Sequence, residues 1–406
     1  MPRIIDPKTV SELDATNLFY FFQDEQKLGH KEWKTGDVYT FQDKSEFTFR
    51  YNVFQRAREG KEGVRYEFRS DCVIGKGMNG CRVYKIASTM AINEETMSVR
   101  FKHYGSKRSE HEGSSKPAKK KRIVKVQQHI EESHPIGSVY REYELSKMAG
   151  HLSIKPPTIV GSTSYLVMKK VKGVELYDIV AKDLDLTAIL TLEQRLELTQ
   201  ALLRVLKERV TDKGMIHRDV KCENFIVDME SQPIAVEIID FGFSDLADSP
   251  RSDGAGCMPF APPELFANGL KTPKIDVFAI ARVIALLWCI DTSSYEIKDV
   301  EIAAANASNV DLATLFSGLH DLSDINKRII RTTLADMLKA NSSERISLDE
   351  AIARFATVKL RDAPSLFHQL ASSGLLFFRT RVPMPEKVGA MAVRSESLSS
   401  SSSSSL

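Results

Sequence analysis

The nine residues from Ile216 to Asn224, IHRDVKCEN, combine side chains of very different chemistry. Asp219 supplies a carboxylate, Lys221 an ammonium group and Asn224 a carboxamide. A buried strand would not carry this mixture, because each buried charge must find a partner or cost several kcal/mol. A solvated loop is the plain alternative. The functional alternative is a loop that handles a charged, oxygen-rich ligand.

The strands predicted after this loop bring a second carboxylate close to it. The apolar runs FIV and IAVEII, joined by DMESQP, predict a β-hairpin. One strand begins just after Asn224 and the other ends just before Asp240, so antiparallel pairing places both residues at the same open end. A carboxylate and an amide oxygen suit Mg²⁺ better than Zn²⁺. The pattern predicts a magnesium site formed by Asn224 and Asp240.

Asp219 and Lys221 lie on the loop that leads into this hairpin. Asp219 can accept the proton of an attacking hydroxyl group, although a carboxylate with an ordinary pKa of about 3.9 is a weak base. We therefore expect orientation of the nucleophile to be its larger contribution. Lys221 can neutralise a phosphoryl group during its transfer.

The segments HRDVKCEN and DFG, the latter from Asp240 to Gly242, resemble the catalytic and metal-binding loops of eukaryotic-type protein kinases. The resemblance covers roughly residues 65–357, with the motifs in the order of that family. It implies an α+β, bilobed protein-kinase fold with a small β-rich N-lobe and a larger helical C-lobe. It also implies ATP and Mg²⁺ as cofactors and proteins as substrates.

A glycine-rich turn, GKGMNG, precedes the strand-forming run RVYKI. Dinucleotide-binding folds use the same glycine spacing, but there a helix should open at the glycines. A strand, a turn and a second strand fit the phosphate-covering flap of kinases better. The resemblance then implies that Gly75, Gly77 and Gly80 line the flap and that Val83 covers the adenine.

The strand RIVKV contains Lys125, which resembles the kinase lysine that holds the α and β phosphates. Lys121 is the alternative, but it lies in the charged run before the strand. On the next predicted helix, SVYREYELSKMAGHL, Glu142 resembles the acidic partner of Lys125. Glu144 is the alternative, because the phase of the helix decides which carboxylate faces inward.

The segment YLVMKKVKGVEL resembles the connection between the two lobes, with Met168 at the back of the adenine pocket. The resemblance implies that the Lys169 carbonyl and the Val171 amide meet the adenine edge and that Glu175 lies near the ribose. Ile123 stands where the family usually has alanine, two positions before the strand lysine. We expect this larger side chain to narrow the adenine pocket.

The segment GCMPFAPPE, which ends at Glu264, resembles the end of a kinase activation segment. Arg345 stands where the family places an arginine that pairs with this glutamate, and losing either partner should cost about 3 to 5 kcal/mol. Cys257 replaces the threonine usual in serine/threonine kinases, and its thiol is a weaker hydrogen-bond donor. Lys221 still favours serine or threonine as acceptor, because tyrosine kinases typically lack this lysine.

Arg218 precedes the catalytic aspartate, where related kinases often use arginine to bind a phosphate on the activation segment. Ser249 and Ser252 lie in that segment, in DSPRSDG. The regulatory hypothesis is that phosphorylation at one of them orders the segment. The alternative is that both are solvated loop serines.

Periodic apolar residues predict the elements that position these groups. Alternation from Val64 to Arg69 predicts a strand, and leucines from Leu192 onward recur at helical spacing. The run from Val277 to Ile290 falls short of the roughly 20 residues of a membrane span and predicts a buried helix.

The domain limits follow from these elements. The kinase domain is predicted at residues 63–357, with the N-lobe at 63–170 and the C-lobe at 171–357. Residues 1–62 form an N-terminal extension without an assigned role. Residues 358–406 form a C-terminal extension with a disordered, serine-rich tail.

Composition limits the partners and the compartment. A formal net charge of +2 gives no overall attraction to nucleic acid or membrane, so direct nucleic-acid binding is not expected. Five cysteines without a CxxC pair favour a reducing compartment. Without a secretory signal or membrane span, a cytoplasmic location is expected. Delivery of a bacterial effector into a host cytosol, or nuclear import through the basic run 116–122, are alternatives, and the oligomeric state stays open.

These features together predict a serine/threonine protein kinase that uses ATP and Mg²⁺. A pseudokinase that binds nucleotide or protein without turnover is the alternative from a different class. A small-molecule kinase is a third interpretation, weakened because GCMPFAPPE resembles a platform for peptide substrates.

Overall fold

A computed structural model of the chain describes residues 2–58, 63–77, 80–104, 121–130, 135–150, 153–251, 254–266, 271–288, 300–308, 310–317, 319–360 and 391–393. Three sequence predictions lie wholly or largely outside these residues: Ser252, the basic run 116–122 and the serine-rich tail. The chain divides into two compact units, Met1–Val171 and Lys172–Leu406.

The N-terminal unit is mainly β-structure. Its strands are β1 (Arg3–Ile5), β2 (Glu32–Trp33), β3 (Tyr39–Thr40), β4 (Glu46–Phe49), β5 (Asn52–Ala57), β6 (Val64–Lys76), β7 (Arg82–Asn93), β8 (Ser98–His103), β9 (Arg122–Gln128), β10 (Thr158–Val160) and β11 (Thr163–Lys169). Its helices are α1 (Glu12–Lys27) and α2 (Gly137–Met148).

Most of these strands form one antiparallel sheet. Its order is β10, β11, β9, β7, β6, β5 and β2, and β8 pairs with β7 beside this path. Strands β1, β4 and β3 form a second, small sheet. The strands predicted at RVYKI, RIVKV and SYLVMKKV correspond to β7, β9 and β11.

Residues before Val64, which had no role by sequence, supply much of the aromatic core of this unit. Helix α1 begins after Ser11, whose hydroxyl oxygen accepts a hydrogen bond from the Asp14 amide at 3.1 Å. Phe22 and Trp33 pack with Tyr66 of β6, and all three side chains are buried. Strand β5 is paired along β6, so the N-terminal segment is built into the large sheet.

The C-terminal unit holds most of the helices. They are α3 (Leu176–Leu184), α4 (Leu192–Arg209), α5 (Pro263–Phe266), α6 (Lys274–Trp288), α7 (Val300–Ser308), α8 (Asp324–Met337) and α9 (Leu348–Ala356). Its strands are β12 (Val174–Glu175), β13 (Met215–Ile216), β14 (Phe225–Asp228), β15 (Ala235–Ile238), β16 (Asp245–Leu246), β17 (Gly254–Gly256) and β18 (Met391–Val393).

Small sheets and short turns connect these helices. Strands β12, β14 and β15 form one sheet, β13 pairs with β16, and β17 pairs with β18. The hairpin of β14 and β15 is the one predicted from FIV and IAVEII, with Phe225 opposite Ile238. A 3₁₀ turn at Cys222–Asn224 leads into it.

Sequence signals explain the helix positions in this unit. Helix α4 starts with a capping box, in which Thr191 and Gln194 exchange side-chain to backbone hydrogen bonds. Nearly every residue of α6 is buried, as the apolar run predicted. Among the described residues, none of the helices combines the length and apolarity that crossing a membrane would require.

Candidate active site

In the N-terminal unit, the lysine and the glutamate predicted as partners meet. The Lys125 ammonium group on β9 donates to the Glu142 carboxylate on α2 at 2.8 Å. Both side chains are largely buried, at 14% and 6% exposure, which strengthens the pair relative to one at the surface. The alternatives Lys121 and Glu144 are exposed. The helix phase therefore points Glu142, and not Glu144, toward Lys125.

The glycine turn lies between the paired strands β6 and β7, and its described residues, Gly77, Gly80 and Cys81, are not helical. Gly75 lies opposite Val83 in the β6–β7 pair, and Val83 lies opposite Lys125 on β9. Gly80 has a φ of 71°, which favours glycine, and a Cβ on Gly77 would lie 3.2 Å from the Cys81 Cβ. The turn thus has the strand, turn and strand order expected of a phosphate flap.

The other residues predicted to contact nucleotide lie at the ends of strands or just after them. Lys169 ends β11, opposite Arg122 of β9, and Val171 is the last residue of the N-terminal unit. Glu175 lies in β12 of the C-terminal unit, opposite Ile226. Met168 is paired with Ile123, the residue expected to narrow the adenine pocket.

A buried carboxylate at the start of α6 holds the catalytic loop in place. Asp276 accepts hydrogen bonds from the backbone amides of His217 at 2.6 Å and Arg218 at 2.9 Å. Arg218 has a φ of 67°, a left-handed conformation that costs a non-glycine residue about 1 to 3 kcal/mol. Such a conformation persists only where the surrounding structure holds it. The two hydrogen bonds to Asp276 provide that support.

Asp219, Lys221 and Asn224 form a compact cluster on this loop. The Lys221 ammonium group lies 3.1 Å from Asp219 Oδ2. The Asn224 amide nitrogen donates to the same oxygen at 2.9 Å and to the Asp219 backbone carbonyl at 2.7 Å. Asp219 Oδ1 is buried and has no hydrogen-bond partner among the described residues. One carboxylate oxygen is held, and the other is available to a ligand.

Burial sets the protonation of this cluster. It raises the pKa of the Asp219 carboxyl above its ordinary value, against the opposing effect of Lys221. Asp219 is therefore a stronger base than an aspartate with an ordinary pKa. Burial disfavours the charged form of Lys221, but the nearby Asp219 carboxylate holds the pKa of this lysine above its usual range. Burial also raises the pKa of the Cys257 thiol, which stays protonated.

The hairpin brings Asn224 and Asp240 to neighbouring positions. The Ile239 amide donates to the Asn224 carbonyl at 2.8 Å, so Asp240 follows directly after the residue facing Asn224. Both side-chain hydrogen bonds of Asn224 to Asp219 use its amide nitrogen and leave the amide oxygen for another partner. An amide oxygen beside a carboxylate fits Mg²⁺. The described residues contain no cluster of three or more His, Cys, Asp or Glu side chains suited to a transition metal.

Arg218 is already paired with a carboxylate of the activation segment. Its guanidinium group donates to Asp245 Oδ2, and both side chains are fully buried. Arg251 donates to the same carboxylate from its backbone amide at 3.0 Å and from Nε at 2.9 Å. Ser249, a predicted phosphorylation site, is exposed and hydrogen-bonds to Asp248 at 3.1 Å.

The predicted pair of Glu264 and Arg345 is confirmed. Two parallel hydrogen bonds of 2.7 and 3.1 Å join the guanidinium group to the carboxylate. Arg345 also donates to the backbone carbonyls of Lys274 at 2.7 Å and Lys339 at 2.9 Å. The pair links α5 to the segment that precedes α9, and the bond to the Lys274 carbonyl adds the start of α6.

Sequence reasoning missed two carboxylates of this site. Asp276 directly precedes the apolar run that predicted a buried helix but was given no role, and Asp245 was not singled out. An acidic residue beside this apolar run, in KIDVFAIARVI, was the available signal for Asp276, because a buried carboxylate needs hydrogen-bond donors. No comparable signal marks Asp245, whose burial depends on tertiary packing.

Comparison with known proteins covers most of these elements. The protein kinase domain model matches residues 102–355, a range that contains Lys125, Glu142 and the catalytic loop but not the glycine turn. The serine/threonine-protein kinase SIK1 of Mus musculus is 29% identical over 164 residues, covering 39% of this chain and 20% of the relative.

Two further similar proteins come from other organisms. The CBL-interacting protein kinase 15 of Oryza sativa subsp. japonica is 28% identical over 158 residues, covering 37% of this chain and 35% of the relative. The probable serine/threonine-protein kinase KIN1 homolog of Encephalitozoon cuniculi is 27% identical over 220 residues, covering 53% and 36%. The chain thus spans between 20% and 36% of the length of these relatives.

Proposed function

Because this chain belongs to the protein kinase domain family, we propose that it is a serine/threonine protein kinase that transfers the γ-phosphoryl group of ATP to hydroxyl groups of protein substrates. Family membership also implies the bilobed kinase fold. The observation that carries the proposal is the Asp219 carboxylate, with one oxygen held by Lys221 and Asn224 and the other buried without a described partner.

Asp219 would accept the proton of the substrate hydroxyl group as this group attacks phosphorus. Its raised pKa makes it a better proton acceptor than an ordinary aspartate. The hydrogen bonds from Asn224 fix the direction of the carboxylate, so the hydroxyl group is oriented before the reaction. Lys221 would stabilise the negative charge on the transferred group.

The nucleotide and its metal would be held by the other predicted residues. Lys125, oriented by Glu142, would bind phosphate oxygens, and Gly75, Gly77 and Gly80 would let backbone amides approach them. Magnesium, when bound, would bridge phosphate oxygens and neutralise their charge. Asn224 and Asp240 would be its protein ligands, because their oxygens are the type that Mg²⁺ prefers.

Adenine recognition is proposed for the backbone of Lys169 and Val171 and the side chain of Val83, with Glu175 near the ribose. Regulation by phosphorylation of Ser249 or Ser252 stays a prediction. The pairing of Arg218 with Asp245 bears on it, because a phosphate could reach this guanidinium group only by displacing a carboxylate that also binds Arg251.

The direct test is transfer of labelled phosphate from ATP and Mg²⁺ to a generic serine- and threonine-containing protein by the purified full chain. Asp219→Asn keeps the shape and removes the base, so the rate should fall by about 100-fold or more. Glu230→Gln is the matched control, because Glu230 lies in the turn between β14 and β15 and its side chain is 83% exposed. This control should retain the wild-type rate.

Two results would contradict the proposal. Phosphate transfer by Asp219→Asn at the wild-type rate would remove Asp219 from the mechanism. A wild-type chain that binds an ATP analogue but transfers no phosphate, either to the generic protein or to itself, would favour the pseudokinase.

A further inference from the structure

A cationic pocket lies on the large sheet of the N-terminal unit, built from residues that the proposed kinase mechanism does not use. Its volume is about 430 Å³. Seven of the eleven residues that line it are arginine or lysine, and the lining contains no aspartate or glutamate. The net charge of the whole chain is only +2, but positive charge is concentrated at this pocket.

Strand register explains how these cations converge. Arg56 of β5 lies directly opposite Arg65 of β6, and Lys102 of β8 lies opposite Thr89 of β7. Arg100 precedes Lys102 by two positions, so both side chains project from the same face of β8. Like charges directly opposite each other destabilise a sheet. Arg56 gains a buried partner in Glu67, but its position opposite Arg65 is electrostatically unfavourable.

A single buried carboxylate lies beneath the pocket. Glu67 is fully buried and binds Arg56 at 2.8 Å, while Arg122 lies 3.6 Å from the same oxygen. Thr89 donates a hydrogen bond to the other oxygen of Glu67. Glu67 thus anchors the base of the pocket by binding Arg56 and lying near Arg122.

Aromatic and electrostatic contacts show that the cations are crowded and held. The ring of Tyr104 lies 5.5 Å from the Arg122 guanidinium carbon and 5.9 Å from the Lys102 nitrogen. Burial, followed by the charges of Arg58 and Arg56, lowers the pKa of Arg65. The guanidinium groups of Arg56, Arg58 and Arg65 are therefore close enough to repel one another.

We propose that this pocket binds a compact molecule carrying several phosphate groups. Its volume falls in the range of small-molecule sites, roughly 300 to 1,000 Å³. Guanidinium groups match phosphate oxygens in paired hydrogen bonds, and several converging cations need more negative charge than one carboxylate ligand brings. The ligand is either a free polyphosphorylated molecule or the headgroup of a polyphosphorylated lipid, which share this chemistry.

The test is titration calorimetry of the full chain with inositol hexakisphosphate and, separately, tripolyphosphate. Excess ADP and Mg²⁺ are present throughout, so that binding at a nucleotide site does not contribute. At about 0.15 M salt, where exposed charges are screened beyond about 8 Å, at least one probe should bind with a Kd of roughly 10 μM or tighter.

Two double variants identify the site. Arg100→Gln with Lys102→Gln removes two cations from the pocket and should weaken binding at least tenfold. Lys27→Gln with Lys34→Gln removes the same charge from exposed positions outside the pocket and should change the Kd less than twofold. Each double variant replaces two cations by glutamine, and thermal unfolding of both variants is compared to confirm equal folding.

Vesicles containing a polyphosphorylated phosphoinositide distinguish the two sources of the ligand. Sedimentation of the chain with these vesicles, lost in the pocket variant, supports a lipid headgroup; binding of the soluble probes alone supports a free molecule. The proposal is overturned if neither probe binds when it is present at about 1 mM, since the Kd would then be weaker than about 1 mM. It is also overturned if both double variants weaken binding equally, or if an oligonucleotide displaces the probes and binds more tightly than either.

Discussion

Buried arginines are neutralised in different ways in the two units of the chain. In the C-terminal unit, Arg345 shares two hydrogen bonds with Glu264 and donates its others to backbone carbonyls. In the N-terminal unit, Arg56 and Arg122 lie around the single carboxylate of Glu67, and Arg65 lies opposite Arg56.

The difference separates structural charge from charge that can serve a ligand. Arg345 is completely buried, and its donors are used within the protein, so its role is to hold segments together. The cations that line the 430 Å³ pocket face a cavity, where a ligand can reach them. Removing an arginine should therefore have opposite effects on stability at the two places.

The largest expected effect is loss of the Arg345 pair. Arg345→Met keeps much of the side-chain volume but leaves Glu264 without its cation, so the free energy of unfolding should fall by about 3 to 5 kcal/mol. Urea unfolding followed by circular dichroism measures this change.

A second arginine of the same unit is the control for this variant. Arg354 pairs with Asp336 and Glu350 at the surface, with 34% of its side chain exposed, so Arg354→Met should cost less than about 1 kcal/mol. Equal losses for the two variants would show that burial does not decide the contribution of these pairs.

The next effect concerns Asp245, which binds both Arg218 and Arg251. Asp245→Asn keeps the shape but removes the carboxylate charge that faces the buried Arg218, which directly precedes Asp219. We expect kcat/KM for phosphate transfer to fall about tenfold or more, since each 1.4 kcal/mol lost in the transition state is a factor of ten.

Neighbouring substitutions show whether this effect is specific to Asp245. Asp248→Asn alters an exposed carboxylate three residues on and should leave the rate within twofold. Ser249→Ala should do the same, because Arg218 already has an acidic partner. A loss on Ser249→Ala as large as that on Asp245→Asn would instead support phosphorylation of the serine.

Local patterns in the sequence predicted much of the catalytic loop and its hairpin. The runs FIV and IAVEII form β14 and β15, and the pairing places Asn224 beside the residue that precedes Asp240. These features depend on residues close together in the chain. Family resemblance, rather than periodicity, singled out Lys125 and Glu142 before their contact was known.

Features that depend on distant packing were not predicted. Alternation from Val64 to Arg69 predicted a strand but not that the Glu67 side chain is fully buried beneath two arginines. The alternating cations Arg56 and Arg58, or Arg100 and Lys102, were visible in the sequence. Their convergence required the order of four strands, which no local pattern specifies.

A smaller effect is expected in the pH dependence of catalysis. The rate should fall as pH decreases through the pKa of Asp219, because the protonated carboxyl cannot accept the substrate proton. Burial raises this pKa, so the fall should begin at higher pH than for an aspartate of ordinary pKa, near 3.9.

Lys221 lowers the pKa of Asp219, so Lys221→Met should move the acidic limb of the kcat/KM profile to higher pH. Lys172→Met is the control, because Lys172 is 69% exposed and pairs with Asp228 and Glu230. An acidic limb that does not move in Lys221→Met would assign the titration to another group.

The smallest effect is expected at Arg65, where the direction of the change in stability is the informative result. Arg65→Gln removes a charge that lies opposite Arg56, so it should stabilise the ligand-free chain by about 0.3 kcal/mol at low salt, and this gain should shrink as salt is added. Inositol hexakisphosphate should reverse the order, because a bound anion stabilises the wild-type pocket more than the variant. Arg50→Gln, which breaks the surface pair with Asp6, should show no such reversal in thermal unfolding. Destabilisation by Arg65→Gln in the absence of ligand would mean that its charge is already balanced within the fold, as that of Arg345 is.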